Sequence, residues 1–354
     1  MIKRSLLALT LSAATLAGSA FAVAGEEKPL RVGYVFAMAN APALIADKQG
    51  YYREEGLNVD LKSLGDGPVI QQALAAGELD VAYVGTPPVY QWFSRGLQSR
   101  ILAKVNYGQA AVIVDAKSPI TSLDALKGKK LAGVKKGSGM DVLLRGYVLK
   151  EKAGLDPDKD LDIIDMPPGN MNAALERGVV DAAFSWEPFV SQSVLRGSSR
   201  ILLDVNQALP QYPWYVVIAL PKTLQERPDD VVKLLRAHRK AIAFLNEHPA
   251  ESNRLIAEAF KLEAVQGTDG KTIAPDAIVA QARTRLGWSA DLQASDIQFI
   301  QRLMDYSHDL GFIETTLKTD QIVDTSYLEK NRALSPSCPC QNRTGDGRRC
   351  HSCC

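Results

Sequence analysis

Four short turns in this chain carry glycine, hydroxyl, carboxylate or ring side chains: Gly65-Asp66-Gly67, Gly85-Thr86, Gly137-Ser138-Gly139 with Met140 following, and Trp186-Glu187-Pro188. Each stands where a helix is expected to begin. The first amides of a helix have no partner within it, and its dipole leaves that end partly positive, so such turns suit the capture of an oxyanion. Thr86 and Ser138 add hydroxyl donors, while glycine allows a ligand to approach the backbone closely. Trp186, and Trp214 in the cluster Tyr212-Pro213-Trp214, offer ring surface to an apolar part of the same ligand.

Each residue also has a purely structural reading. Ser138 can cap its own helix, and Asn40, just ahead of Pro42, is a helix N-cap by type and position. The paired glycines can serve turn geometry alone. Glu187 beside an anion would repel it, so it is expected to pair with a basic residue or with the start of its own helix; facing the ligand, it would call for an amine. Tyr212 and Trp214 either cover an apolar ligand group or pack a hinge.

These turns need a scaffold, and the chain announces one by repeating itself at an offset of 101 residues. Ala73-Leu74-x-x-Gly77-x-x-Asp80-x-Ala82-Tyr83-x-x-x-Pro87 returns as Ala174-Leu175-x-x-Gly178-x-x-Asp181-x-Ala183-Phe184-x-x-x-Pro188. Each copy reads as a helix closed by a C-capping glycine, a short strand, and a turn that starts the next helix. Asp80 and Asp181, ahead of the strands, are expected to bond local backbone. Two similar α/β lobes follow.

Strands are expected at 30–36, 57–61, 81–84, 101–105 and 111–114, then at 130–134, 161–165, 200–203 and 215–220, with helices between them. That order implies two doubly wound α/β lobes with parallel sheets. From Pro228 onward the apolar spacing is helical, and these helices are expected to pack mainly on the first lobe. The expected organisation is a first lobe over 25–112, a second over 113–216, and a return to the first over 217–330, with crossings near 111–115 and 215–220.

The N-terminus reads as a secretory signal peptide. Lys3-Arg4 precede an apolar run from Leu6 to Ala17, and small residues lead to cleavage after Ala22, or alternatively Ala24. No stretch is long and apolar enough to span a membrane. An exported protein is expected, located in the periplasm. The net charge is +1, but basic residues at both ends leave residues 5–330 at about −4 by formal counting. That balance argues against nucleic acid as a partner. All five cysteines (Cys338, Cys340, Cys350, Cys353 and Cys354) lie in a Pro-, Gly- and Arg-rich tail, 331–354. Their spacing, even with His351, matches no closed zinc pattern, and the tail is expected to be unstructured.

Arg31-Val32-Gly33-Tyr34, Gly77-Glu78-Leu79-Asp80-Val81-Ala82-Tyr83-Val84-Gly85, Leu126-Lys127-Gly128-Lys129-Lys130-Leu131-Ala132-Gly133-Val134 and Gly178 through Pro188 stand in one order over about residues 28–328. Together they resemble the substrate-binding proteins of ABC transporters in the nitrate, sulfonate and taurine group. The resemblance implies a type II periplasmic-binding-protein fold: two α/β lobes, joined by two hinge crossings, that close on a small-molecule ligand. It implies as partners a membrane permease and its ATPase in the inner membrane, with the binding protein itself a monomer. It places ligand-facing positions on the four turns and on the loop after the first strand, here Met38 and Asn40. Members that bind an amino-sulfonate carry an acidic residue in the strand at the second crossing, and Tyr215 to Leu220 has none. A sulfonate or sulfate ester with an apolar or aromatic moiety is the better expectation, with taurine less so. Nitrate or a thiamin-pyrimidine type of heterocycle is the alternative ligand.

Catalysis finds no support in the residues. His238, His248 and His308 are scattered, no HExxH or Gly-x-Ser-x-Gly motif occurs, and Gly137-Ser138-Gly139 lacks the Gly-Lys-Ser/Thr of a nucleotide loop. No metal or cofactor is expected.

Overall fold

The computed structural model describes residues 28–333, apart from Gln211. The signal-peptide cleavage and the cysteine tail lie outside the described residues. The first lobe opens with β1 (Leu30–Val35), α1 (Ala41–Lys48), α2 (Tyr51–Glu54), β2 (Val59–Leu64), α3 (Gly67–Ala75), β3 (Val81–Gly85), α4 (Thr86–Phe93) and β4 (Arg100–Lys104). A short β5 (Asn106–Gly108) lies in the first crossing.

The second lobe holds β6 (Ala110–Asp115), β7 (Lys130–Gly133), α5 (Gly139–Val142) running on as π-helical turns over Leu143–Ala153, β8 (Asp162–Asp165), α6 (Pro168–Glu176), β9 (Ala182–Trp186), α7 (Phe189–Leu195) and β10 (Ser199–Asp204). After α8 (Val205–Ala208) the chain crosses back into β11 (Tyr215–Ala219), α9 (Pro221–Glu226), α10 (Pro228–Glu247) and α11 (Pro249–Ala259). It ends with β12 (Val265–Gln266), β13 (Thr272–Ile273), α12 (Pro275–Ala282), β14 (Leu286–Trp288), α13 (Ala294–Asp309) and α14 (Ser326–Ala333).

The two large sheets run β2-β1-β3-β11-β4 and β10-β6-β9-β7-β8. Three strands of each are parallel, as the β-α-β order requires. The strands next to each crossing run antiparallel: β11 beside β3 and β4, and β6 beside β9 and β10. The sheets are therefore mixed rather than purely parallel, because a chain that enters from the other lobe arrives at the opposite end. The strands read as sitting at the crossings lie wholly inside a sheet, and the crossings precede them. The parallel strands β1 and β3 and the antiparallel β11 are almost wholly buried, as expected for a sheet covered on both faces.

The repeat at offset 101 extends further than its motif. Gly77 and Gly178 have φ of 70° and 65°, and each closes its helix with its N–H on Leu74 O or Leu175 O. Asp80 does not bond local backbone: its carboxylate accepts from the Arg31 N–H at 2.9 Å and from the Arg31 guanidinium at 2.6 Å. Asp181 likewise accepts from the Lys130 N–H at 2.8 Å. Each carboxylate thus pins the entrance of the neighbouring parallel strand, β1 in one lobe and β7 in the other.

The helices after Pro228 divide between the lobes. The amphipathic α10 packs on α1, α2 and α14, whereas α12 meets α7 of the second lobe. α13 touches both: Tyr90 of α4 donates to Leu303 O at 2.9 Å, while Arg302 and Tyr306 bond Glu151 of the second lobe. Close packing there depends on Gly146, where a Cβ would come within 2.5 Å of the Tyr306 ring.

Candidate functional site

A cavity of about 550 Å³ lies between the lobes. Four helix starts reach its wall, two from each lobe: Gly67 of α3, Gly85 before α4, Gly139 of α5 and Pro168 of α6. Trp186, Trp214, Met140, Met166 and Pro88 supply apolar surface between them.

The turns are shaped by their own residues. Asp66 caps α3 by accepting the Val69 N–H at 2.9 Å. Ser138 caps α5, its Oγ accepting the Asp141 N–H at 3.4 Å, and still lines the cleft. Beneath this turn, the fully buried Asp141 accepts the Gly137 N–H at 2.8 Å and pairs with Arg145 at 2.7 Å. Burial pushes the Asp141 carboxyl up, against the Gly137 and Arg145 contacts that favour its charge. From the other lobe, Gln91 of α4 donates to Gly137 O at 2.8 Å, so this turn is held from both sides.

Of the residues singled out in the sequence, Asp66, Gly67, Gly85, Ser138, Gly139, Met140, Trp186 and Trp214 line this cavity. Asn40, Thr86 and Glu187 are fully buried and are not among its lining residues. Asn40 Nδ2 donates to Val35 O at 2.7 Å, bracing the loop after β1 rather than capping α1. Thr86 Oγ1 is buried without a hydrogen-bond partner.

Glu187 points away into the second lobe. It accepts from the Ser191 N–H of its own helix at 3.0 Å and from Arg285 at 2.9 Å. Burial pushes its carboxyl up to about 6 even against the Arg285 charge. The start of α7 is therefore already neutralised, and α6 provides the fourth helix start in its place. Trp214 walls the cleft while Tyr212 packs the hinge, its hydroxyl accepting the Ala110 N–H at 3.1 Å.

Wall residues not singled out from the sequence include Phe36, Lys135, Asp165, Met166, Pro167 and Tyr215. Lys135 is exposed and makes no ion pair among the described residues. Most of these sit at the carboxyl ends of parallel strands or in the turns just after them, where open α/β sheets bind ligands. That position, rather than any residue type, is the signal that finds them.

Residues 23–261 match the model of the NMT1-like family. The chain belongs to the NMT1-like family. Among relatives of this NMT1-like chain is a Bacillus subtilis (strain 168) protein designated an aliphatic sulfonates-binding protein. The two are 28% identical over 347 residues, covering 93% of this chain and 97% of that one. A Brucella abortus (strain 2308) protein designated a binding protein is 28% identical over 291 residues, 80% of this chain and 88% of its own length.

Solved structures show the same fold. The periplasmic aliphatic sulphonate binding protein SsuA from Escherichia coli superposes with a TM-score of 0.69 at 20% identity, covering 92% of this chain and 96% of that one. The periplasmic nitrate-binding protein NrtA from Synechocystis PCC 6803 gives 0.70 at 19% identity, with 88% and 90% covered. The NMT1-like chain therefore has the periplasmic-binding-protein fold of SsuA and NrtA.

Proposed function

We propose that this protein is the exported solute-binding component of an ABC importer, which captures an organosulfur oxyanion between its lobes and delivers it to a membrane permease. The observation that carries this reading is the cleft itself. Helix starts from both lobes converge on a space of about 550 Å³ whose remaining walls hold two tryptophans and two methionines. Helix starts favour an anion by about 0.3–1 kcal/mol each, and more when partly buried. The rings favour a ligand with an apolar body. A bare nitrate would leave most of this volume and ring surface unused, whereas an alkane- or arylsulfonate or a sulfate ester uses both. The designation of the Bacillus subtilis relative supports the same class.

The cleft binds and releases without turnover in this reading. Closure over the ligand would add contacts from both lobes at once, which suits retrieval of a dilute solute. The test is a thermal-shift panel of alkanesulfonates, aryl sulfates, taurine, nitrate and pyrimidines, since a ligand that binds the native state raises its stability directly. Stabilisation by sulfonates or sulfate esters is expected. Stabilisation by a neutral heterocycle alone would overturn the anion reading, and sulfite release from a sulfonate would show an enzyme.

A further inference from the structure

We infer that α13 is a strap, rooted in the first lobe and releasably fastened to the second at Glu151, which holds the two cleft walls together before any ligand arrives. The burial of its bonds separates root from fastening. On the first-lobe side, Asp296 in the first turn of α13 pairs with Lys104 of β4 at 2.6 Å, and both side chains are buried. Further along, the buried Tyr90 of α4 donates to Leu303 O at 2.9 Å and lies 3.1 Å from Ser307 Oγ. Separating a buried charge pair leaves each charge uncompensated, so this end stays attached.

The second-lobe side is built differently. Glu151, in the π-helical turns after α5, accepts from Arg302 and Tyr306, and the Arg302 and Glu151 side chains are 38% and 37% exposed. The Arg302 guanidinium also stands over two rings, Tyr147 of the second lobe at 5.3 Å and Tyr306 of its own helix at 5.6 Å. Exposed contacts of this kind are weak singly and screened by salt. Gly146 lets the strap lie close: the three atoms nearest to a Cβ there, 2.5–2.9 Å away, all belong to Tyr306. Both anchorages lead to the turn that carries Ser138 and Gly139 into the cleft wall. Arg145, beside Gly146, pairs with the Asp141 that accepts the Gly137 N–H, and Gln91, beside Tyr90, donates to Gly137 O.

The experiment joins small-angle X-ray scattering of the ligand-free protein to calorimetric titration with butanesulfonate. It compares wild type, Glu151→Gln, Gly146→Ala, Tyr306→Ala, Gly146→Ala combined with Tyr306→Ala, and Glu54→Gln. Alanine favours a helix over glycine, so Gly146→Ala acts on the strap rather than on the second lobe's own helix. Glu151→Gln and Gly146→Ala are each expected to enlarge the radius of gyration and to weaken butanesulfonate about two- to fivefold in Kd. The combined variant should be no worse than Tyr306→Ala alone, because the collision needs both groups. Glu54→Gln should track wild type, since its partner Lys240 keeps Glu55. An unchanged radius in either Glu151→Gln or Gly146→Ala overturns the strap, as does unchanged or tighter binding by either. Additive effects of Gly146→Ala and Tyr306→Ala overturn it too. The binding arm rests on the anion reading above: failure of wild type to bind butanesulfonate removes that reading, and the ligand-free scattering still decides the strap.

Discussion

Glu187 sits one residue from the cleft wall, yet its carboxylate is committed to Arg285 and to the amide of Ser191. Removing one partner of a pair this buried leaves the other charge uncompensated, so Glu187→Ala should cost about 3–5 kcal/mol in chemical denaturation. Ser138→Ala and Trp186→Ala belong to the opposite category. Each is expected to weaken sulfonate binding by about 1–3 kcal/mol, read as Kd, through loss of a donor or an aromatic wall. Wild-type affinity in both would refute the proposed site. A third residue governs acid stability. His238 on α10 is fully buried, its Nε2–H donating to Lys104 O at 2.9 Å, and burial pulls its pKa down to about 4. The unfolded chain takes up a proton near pH 6.5 and the native state does not until about 4, so stability is lost as pH falls through that window. The His238→Gln variant should lack this loss, which amounts to about 3 kcal/mol for the shift of the wild-type residue. Equal pH dependence of the two proteins in urea denaturation would contradict it.

At the scale of elements, the first crossing is closely packed. β5 within it pairs antiparallel with β14, and Gly108 there has a φ of 71°. A Cβ on Gly108 would collide with the Arg285 carbonyl oxygen and approach Asn206 Oδ1 to 2.8 Å. Gly108→Ala is therefore expected to destabilise the protein by more than about 2 kcal/mol, since both backbone strain and a clash with backbone must be relieved; a melting temperature equal to wild type would show that the crossing is slack. The sequence displays glycine turns, capping residues and the repeat plainly, and from these the lobes and most of the helix starts can be read. What it conceals is partnership across the sheets. Asp80 and Asp181 are marked by type and spacing, but their partners lie 49 and 51 residues upstream. Arg285, 98 residues beyond Glu187, carries no local mark at all. Phe36, Asp165 and Tyr215 escape notice for a related reason: their place at the cleft follows from strand order, which no short window contains. The π-helical turns after α5 are equally silent, because their apolar spacing reads as an ordinary helix.

At the scale of the whole molecule, the two large sheets are tied by α13 as well as by the crossings, because α13 bonds Tyr90 in one lobe and Glu151 in the other. Any opening or closing of the lobes would have to move against this third tie. The sheet orders have a further consequence. The second sheet is complete within residues 110–204, whereas β4 of the first sheet has β11 as its neighbour in that sheet. In pulsed hydrogen exchange during refolding, amides of β4 are expected to gain protection no earlier than those of β11, and earlier protection of β4 would count against this order. In a chain that emerges N-terminus first, the slot between β3 and β4 stands open until residue 219 has appeared. During that interval β3 and β4 each present an unpaired edge, so the newborn first lobe is where a chaperone would find its handhold and where aggregation would start.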